Sequence, residues 1–268
     1  YRLSLGVSAE GVCAASIEGK IACYDHSGKR QWKTRIGENI AAGVGVTQKQ
    51  VLLVDANGEL HVLSRDTGDK LWSKRLLSEV LAAPQGNNEM IVVQTTDGRV
   101  LGLEAEAGEK SWEYKTDEPR LTLRGTATPV IDKDVIYTGF ASGKLVGLRM
   151  ENAAVIFNQP VAIASGTAEI ERIVDIDASP TLTIDSIYAA SFNGNLFAFD
   201  KRSGRPRWRV EASTYRGLAK GLNKVYLVDE RSQLFAYSEA NGDERWSHSG
   251  LTHRDLSAPA VFSGYLLV

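Results

Sequence analysis

Residues 194–208 read Gly194-Asn195-Leu196-Phe197-Ala198-Phe199-Asp200-Lys201-Arg202-Ser203-Gly204-Arg205-Pro206-Arg207-Trp208. Two glycines stand ten residues apart, and a tryptophan follows four residues later. The same frame recurs as Gly58, Gly68, Trp72 and as Gly98, Gly108, Trp112. Three further copies are degenerate. Gly19, Gly28, Trp32 is one residue shorter; Gly143, Ala153, Phe157 has lost two of its marker residues; Ser232, Gly242, Trp246 has lost one. Self-similarity at about 40 residues is the mark of stacked supersecondary units rather than one irregular domain.

The surrounding residues say what the unit is. Thr181-Leu182-Thr183-Ile184 reads as a first strand, and Ile187-Tyr188-Ala189-Ala190-Ser191 as a second, rich in β-formers. Asn193-Gly194 is a strong hairpin signal, expected as a type I′ turn with both central residues at positive φ. Leu196 to Phe199 is apolar on both faces, so both faces are covered. Asp200 to Gly204 turns again, and Arg205 to Val210 is a fourth strand carrying Trp208. Each copy is therefore a four-stranded antiparallel meander, the blade of an all-β propeller. Helical periodicity is absent. Trp32, Trp72, Trp112, Trp208 and Trp246 end the outer strands and are placed to dock on a neighbouring blade. Pro84, Pro129, Pro180 and Pro259 open inner strands, where a missing N–H is tolerated. Six hairpins and a seventh start at Ser257-Ala258-Pro259 give at least seven blades, read as one propeller domain over 1–268. The chain opens in mid-strand at Tyr1 and stops in mid-strand at Val268, and is expected to be the ordered part of a longer protein.

Composition narrows the function classes. The 268 residues are 43% apolar and 24% charged, with 31 basic against 33 acidic side chains. No basic run offers a nucleic-acid footprint, no apolar run could span a bilayer as a helix, and no leader or lipidation motif is present. The histidines His26, His61, His248 and His253 show no metal-ligand spacing, and His26 and His61 read as surface residues. No Ser or Cys sits in a nucleophile elbow. Gly43-Val44-Gly45 precedes no helix and is not a nucleotide fingerprint. Asp175-x-Asp177 lacks the oxygen density of a calcium loop. No catalytic constellation, metal or cofactor is expected. Counting from each repeat's first glycine, Cys23 falls in the slot of Val62, Gly102, Gly147, Ala198 and Ala236, and Cys13 in that of Leu52, Val92, Tyr137, Tyr188 and Tyr226; both are core positions, and both cysteines read as small buried fillers. A disulfide needs a register that sets them opposite, whereas a two-residue turn at Glu18-Gly19 puts them on opposite faces.

Function is sought where the repeat breaks. First-Gly spacings run 39, 40, 45, 51 and 38 residues, so two consecutive intervals carry insertions. Both lie between a blade's Trp position and the next blade's first strand, on one face of the propeller. Loops longer than a scaffold requires tend to carry function. The first, Thr116 to Thr126, contains Leu121-Thr122-Leu123-Arg124-Gly125; alternation puts Leu121 and Leu123 on one side with Arg124 beside them. The second, Ala162 to Asp177, contains Arg172 and the pair Asp175 and Asp177, which share a side in an extended segment. An apolar centre with Arg and a charged rim suits a protein-binding patch. Two roles stay open for Arg124: meeting a partner, or pairing with Asp175 or Asp177 to hold the loops down.

The blade motif, as in Leu196-x-Ala198-x-Asp200-x-x-x-Gly204-x-x-x-Trp208, resembles the tryptophan-docking repeat of quinoprotein-like eight-bladed propellers. The two broken segments, Leu121 to Gly125 and Glu169-Ile170-Glu171-Arg172-Ile173 through Asp175, Asp177 and Pro180, resemble segments of the BamB family. Val225 to Asp229 and His253 to Pro259 resemble it too. The resemblance implies eight blades in the full protein and a non-enzymatic lipoprotein scaffold of the β-barrel assembly (BAM) machinery. Such a scaffold sits at the periplasmic face of the outer membrane in a Gram-negative bacterium, held by an N-terminal lipid anchor absent from this chain. It implies binding to the POTRA domains of BamA through Leu121, Leu123, Arg124, Asp175 and Asp177, with Arg172 nearby, and unfolded outer-membrane proteins as further clients. The alternative is a quinone (PQQ)-dependent dehydrogenase or quinone-binding sensor, weakened by the lack of an adjacent Cys-Cys pair and by the short chain.

Overall fold

The computed structural model describes residues 5–117, 119, 121–123, 125–163 and 173–268. Every regular element among them is a β-strand. Six four-stranded antiparallel sheets follow one another along the described chain, over residues 6–35, 40–75, 85–115, 130–160, 181–211 and 219–248. A two-stranded sheet, Ala260–Phe262 with Tyr265–Leu267, begins a seventh. Strands pair in chain order, so each sheet is a meander. In the fifth blade the strands are Thr181–Leu182, Ser186–Ala190, Asn195–Asp200 and Pro206–Glu211. The first is shorter than expected because Thr183 Oγ1 accepts the N–H of Ser186 and turns the chain there.

One transverse rib recurs in every complete blade. Strands two, three and four are in register at Cys13–Cys23–Trp32, Leu52–Val62–Trp72, Val92–Gly102–Trp112, Tyr137–Gly147–Phe157, Tyr188–Ala198–Trp208 and Tyr226–Ala236–Trp246. A bulge follows the middle residue each time. The middle residue is Gly, Ala or Cys in five of these blades and Val62 in the second, because the aromatic ring lies over it. A Cβ on Gly102 would fall inside the Trp112 ring. Where strand two offers Tyr, its ring packs tilted on the aromatic of strand four, with centroids 5.8 Å apart at Tyr188–Trp208 and 5.9 Å at Tyr226–Trp246.

The chain divides into two compact units, residues 1–116 with 150–153, and residues 117–149 with 154–268. In the first, the tryptophans dock as expected. The indole N–H of Trp32 donates to the Arg65 carbonyl at 2.7 Å, that of Trp72 to Ala105 at 3.0 Å, and that of Trp112 to Met150 at 2.8 Å. In the second, Trp208 donates to Glu239 at 3.0 Å, whereas Trp246, expected to dock likewise, is 38% exposed and packs on Tyr226 of its own blade, the sheet that follows having two strands. Phe157 has no N–H to donate yet stays buried against Gly204, so the apolar plug survives without its bond. Each core layer is built from apolar residues of successive blades, as in Leu52, Val54, Leu60 and Val62 with Ile91, Val93 and Leu103.

Two expectations about the hairpins change. The turns between strands two and three are three-residue loops, not two-residue type I′ turns. In the second blade Gly58 N–H donates to Asp55 O, and only Gly58, at φ 77°, is left-handed. A type I turn closed by one left-handed residue adds a residue to the loop. Asn193-Gly194 also carries a single positive φ, on Asn193. In the first blade the same loop shifts the register by one residue and sets Cys13 directly opposite Cys23. Their Cα atoms are 4.1 Å apart and the two form a disulfide, so they are a cross-strand staple and not free fillers. His61 is also not a surface residue. It is buried, with Nε2 3.0 Å from Asp55 Oδ2, because it points from strand three into the same layer as Leu53 and Leu63.

Candidate functional site

The connectors from strand four to the next blade lie beside the strand two–three hairpin tips. In the second unit, the N–H groups of Val161 and Ala162 donate to Gly143 O, and that of Ala212 to Gly194 O. Phe192 N–H, at a hairpin tip, donates to the Asp175 carbonyl at 2.9 Å. The described residues at the two ends of the second insertion, Ala162 and Asp175, therefore sit on the face that the hairpin tips form.

Along residues 173–178, which form no regular element, neighbouring side chains take different partners. Val174 contacts Gly143 and Ile176 packs on Gly139, anchoring one side in the blade. Asp175 and Asp177 take the other side and face the 121–125 loop. Asp175 Oδ2 accepts the backbone N–H of Leu123 at 2.5 Å. The Asp177 carboxylate lies against Gly125 so closely that a Cβ there would collide with it. Thr128 N–H donates to Ser179 Oγ at 3.1 Å and extends the junction. The described parts of the two insertions, around Leu123 and Gly125 and around Asp175 and Asp177, are thus joined. Their outer surface carries Leu121 and Leu123, 46% and 38% exposed, while Asp175 beneath is fully buried.

Electrostatically the junction is loaded. Burial pushes the Asp175 carboxyl up from its ordinary value, opposed by the Leu123 N–H. Burial, with the neighbouring Asp175 charge added, pushes Asp177 up to about 7. Asp175 Oδ1 is buried and has no hydrogen-bond partner among the described residues. A buried carboxylate beside a half-buried one calls for a cationic donor. Arg124 and Arg172, the expected arginines of the site, lie outside the described residues. Leu121, Leu123, Asp175 and Asp177 are brought together.

One feature of this face escapes the spacing argument. Thr214-Tyr215-Arg216-Gly217 repeats the order of Thr122-Leu123-Arg124-Gly125 in a connector of ordinary length. Arg216 is buried, donates from Nη2 to Asp255 Oδ1 at 2.9 Å and from Nη1 to the Leu256 carbonyl, and so ties two successive connectors together. Comparing connectors for Thr-x-Arg-Gly, rather than for length, finds it.

Elsewhere, Asp55, Glu59 and His61 hold their ligand-type atoms within 4.8 Å of one another, closer than their sequence spacing suggests. Asp55 is already engaged: Oδ1 accepts the N–H groups of Asn57 and Glu59, capping the hairpin, and Oδ2 faces His61.

A family model described as outer membrane protein assembly factor BamB matches residues 18–248. The chain belongs to the BamB family. Among curated relatives, the BamB of Burkholderia pseudomallei is 32% identical over 222 residues, covering 82% of this chain and 58% of its own length. The BamB of Vibrio cholerae is 42% identical over 190 residues, 71% of this chain and 49% of its own. The chain therefore spans about half the length of these two relatives. The crystal structure of BamB from Moraxella catarrhalis superposes with a TM-score of 0.92 at 28% identity, covering 98% of this chain and 80% of that one. With that match, the meanders described above are blades of a BamB-type β-propeller.

Proposed function

We propose that this propeller is a non-enzymatic scaffold of the outer-membrane β-barrel assembly machinery, docking the POTRA domains of BamA through loops 116–126 and 162–177. The observation that carries the reading is the junction itself. The repeat's two long insertions are joined by the Leu123–Asp175 bond, and together they present two leucines outward over the buried Asp175 and the half-buried Asp177. The relatives' shared description as outer membrane protein assembly factors supports the same role.

In this reading Leu121 and Leu123 give apolar contact, and Arg124 a directional, charge-assisted donor. Asp175 fixes the height of the loop, and Asp177 fills the space under Gly125. Arg172 adds charge at the rim. A rigid platform of this kind orients a flexible module and so helps deliver unfolded barrel proteins. The Cys13–Cys23 disulfide suits an oxidising compartment, in keeping with the periplasmic face of the outer membrane. The first experiment is co-elution of the purified chain with the POTRA region of the cognate BamA in size exclusion. A joint peak is expected. Separate elution at concentrations in the tens of micromolar, with the chain folded, contradicts the reading.

A further inference from the structure

The partner-binding face continues past the two inserted loops. From Leu123 the path runs through the Asp175 side chain to the Asp175 carbonyl, which accepts the N–H of Phe192 at 2.9 Å. The Phe192 ring is half-buried and packs on Tyr215, with centroids 6.4 Å apart. Thr214 N–H donates to Ser191 O and Asn193 N–H to Ser213 Oγ, so the Tyr215 connector is sewn to the Phe192 hairpin.

Tyr215 is exposed, at 40%, yet it is held. Arg216 lies over its ring at 5.3 Å and donates from Nη2 to its hydroxyl at 3.1 Å. Arg216 is itself clamped by Asp255 and the Leu256 carbonyl. An exposed aromatic ring fixed in place by its neighbours has little rotamer entropy left to lose on association, which is the property of an interface anchor. Structural need alone does not account for the exposure, since a ring serving only the clamp could be covered.

We propose that Tyr215, backed by Phe192, is a second anchor for the POTRA module seated on Leu121 and Leu123; this rests on the proposed function of the first site. The occupant follows from continuity. Successive sheets stack about 10 Å apart, so a point two blades along falls inside one standard interface of about 800 Å² per partner. Both Leu123 and Tyr215 hold the x position of a Thr-x-Arg-Gly run in a connector between blades, so one module would meet an apolar contact from each.

The test measures binding of the full chain to immobilised POTRA region by interferometry. It compares wild type, Tyr215→Ala, Tyr215→Phe and the double variant Leu121→Ala/Leu123→Ala, each with a thermal melt. Tyr215→Ala is expected to bind about tenfold more weakly at unchanged melting temperature, and Tyr215→Phe within about twofold of wild type. If Tyr215→Ala binds like wild type while the leucine variant does not, the second anchor is refuted and the first site stands. If both leave binding unchanged, this face is not the interface and both proposals fall. If Tyr215→Ala loses binding only in step with its melting temperature, and Tyr215→Phe does the same, the ring serves the fold and the second anchor is again refuted.

Discussion

At the scale of single residues, the clearest consequence concerns Asp177. Its carboxyl sits in a partly closed space beside Asp175 and titrates at about 7, far above an exposed aspartate. The folded state therefore keeps a proton that the unfolded chain gives up near pH 4. Between about pH 4 and pH 7 the native state binds more protons, so this group's contribution to stability falls as pH rises and levels off above 7. Asp177→Asn removes the ionisation but keeps the volume. Relative to wild type the variant should gain stability at pH 8 and lose that advantage at pH 5, read from urea midpoints. An advantage independent of pH would show that Asp177 is ionised throughout. Asp175 acts differently, through its bond to the loop. Asp175→Ala removes the acceptor of the Leu123 N–H, with a cost of about 1 kcal/mol for the lost hydrogen bond of a part-exposed loop. Hydrogen exchange at the Leu123 amide should accelerate while exchange in strand Lys144–Arg149 stays slow. Equal exchange at Leu123 in both proteins would show that the bond does not hold the loop.

At the scale of the blade, the recurring rib explains what sequence could and could not show. The slots were legible: Cys13, Leu52, Val92, Tyr137, Tyr188 and Tyr226 all oppose the residue that counting from the repeat's glycine assigns. The register was not, because Asn-Gly and Glu-Gly fit two hairpin geometries that differ by one residue. One residue is enough to decide whether Cys13 and Cys23 meet or lie back to back. Sequence separation of 10 between them makes a small closed loop, for which loop-closure entropy alone gives about 3 kcal/mol. The double variant Cys13→Ser/Cys23→Ser should lower stability by about that amount. The loss should appear as earlier exchange of blade-one amides, with residues 181–248 unaffected. A variant as stable as wild type would show that the oxidised bond contributes nothing. Trp208→Phe reproduces the natural Phe157 arrangement and deletes one indole bond to Glu239. It should cost about 1 kcal/mol by urea denaturation. His61 escaped sequence reading because hairpin alternation gives its face, but not that a second blade covers it. Arg216 escaped because its connector has ordinary length.

At the scale of the whole molecule, a regular scaffold makes its irregularities conspicuous. Strands, blade count and the positions of the two insertions follow from periodicity, since each blade must repeat the chemistry that buries its neighbour. What the insertions do to one another depends on a carboxylate reaching across 52 positions of sequence to a backbone amide, which no local pattern encodes. The family match assigns the fold, and the junction's geometry supports the docking role. The most direct test of that role is calorimetric titration of the full chain with the POTRA region of its cognate BamA. Wild type, Leu121→Ala/Leu123→Ala and Arg124→Glu are compared, each verified as folded by thermal melting. Wild type should bind with a stoichiometry of about one, and each variant at least about tenfold more weakly. Binding of all three with one affinity, or no binding by folded wild type, would contradict the account.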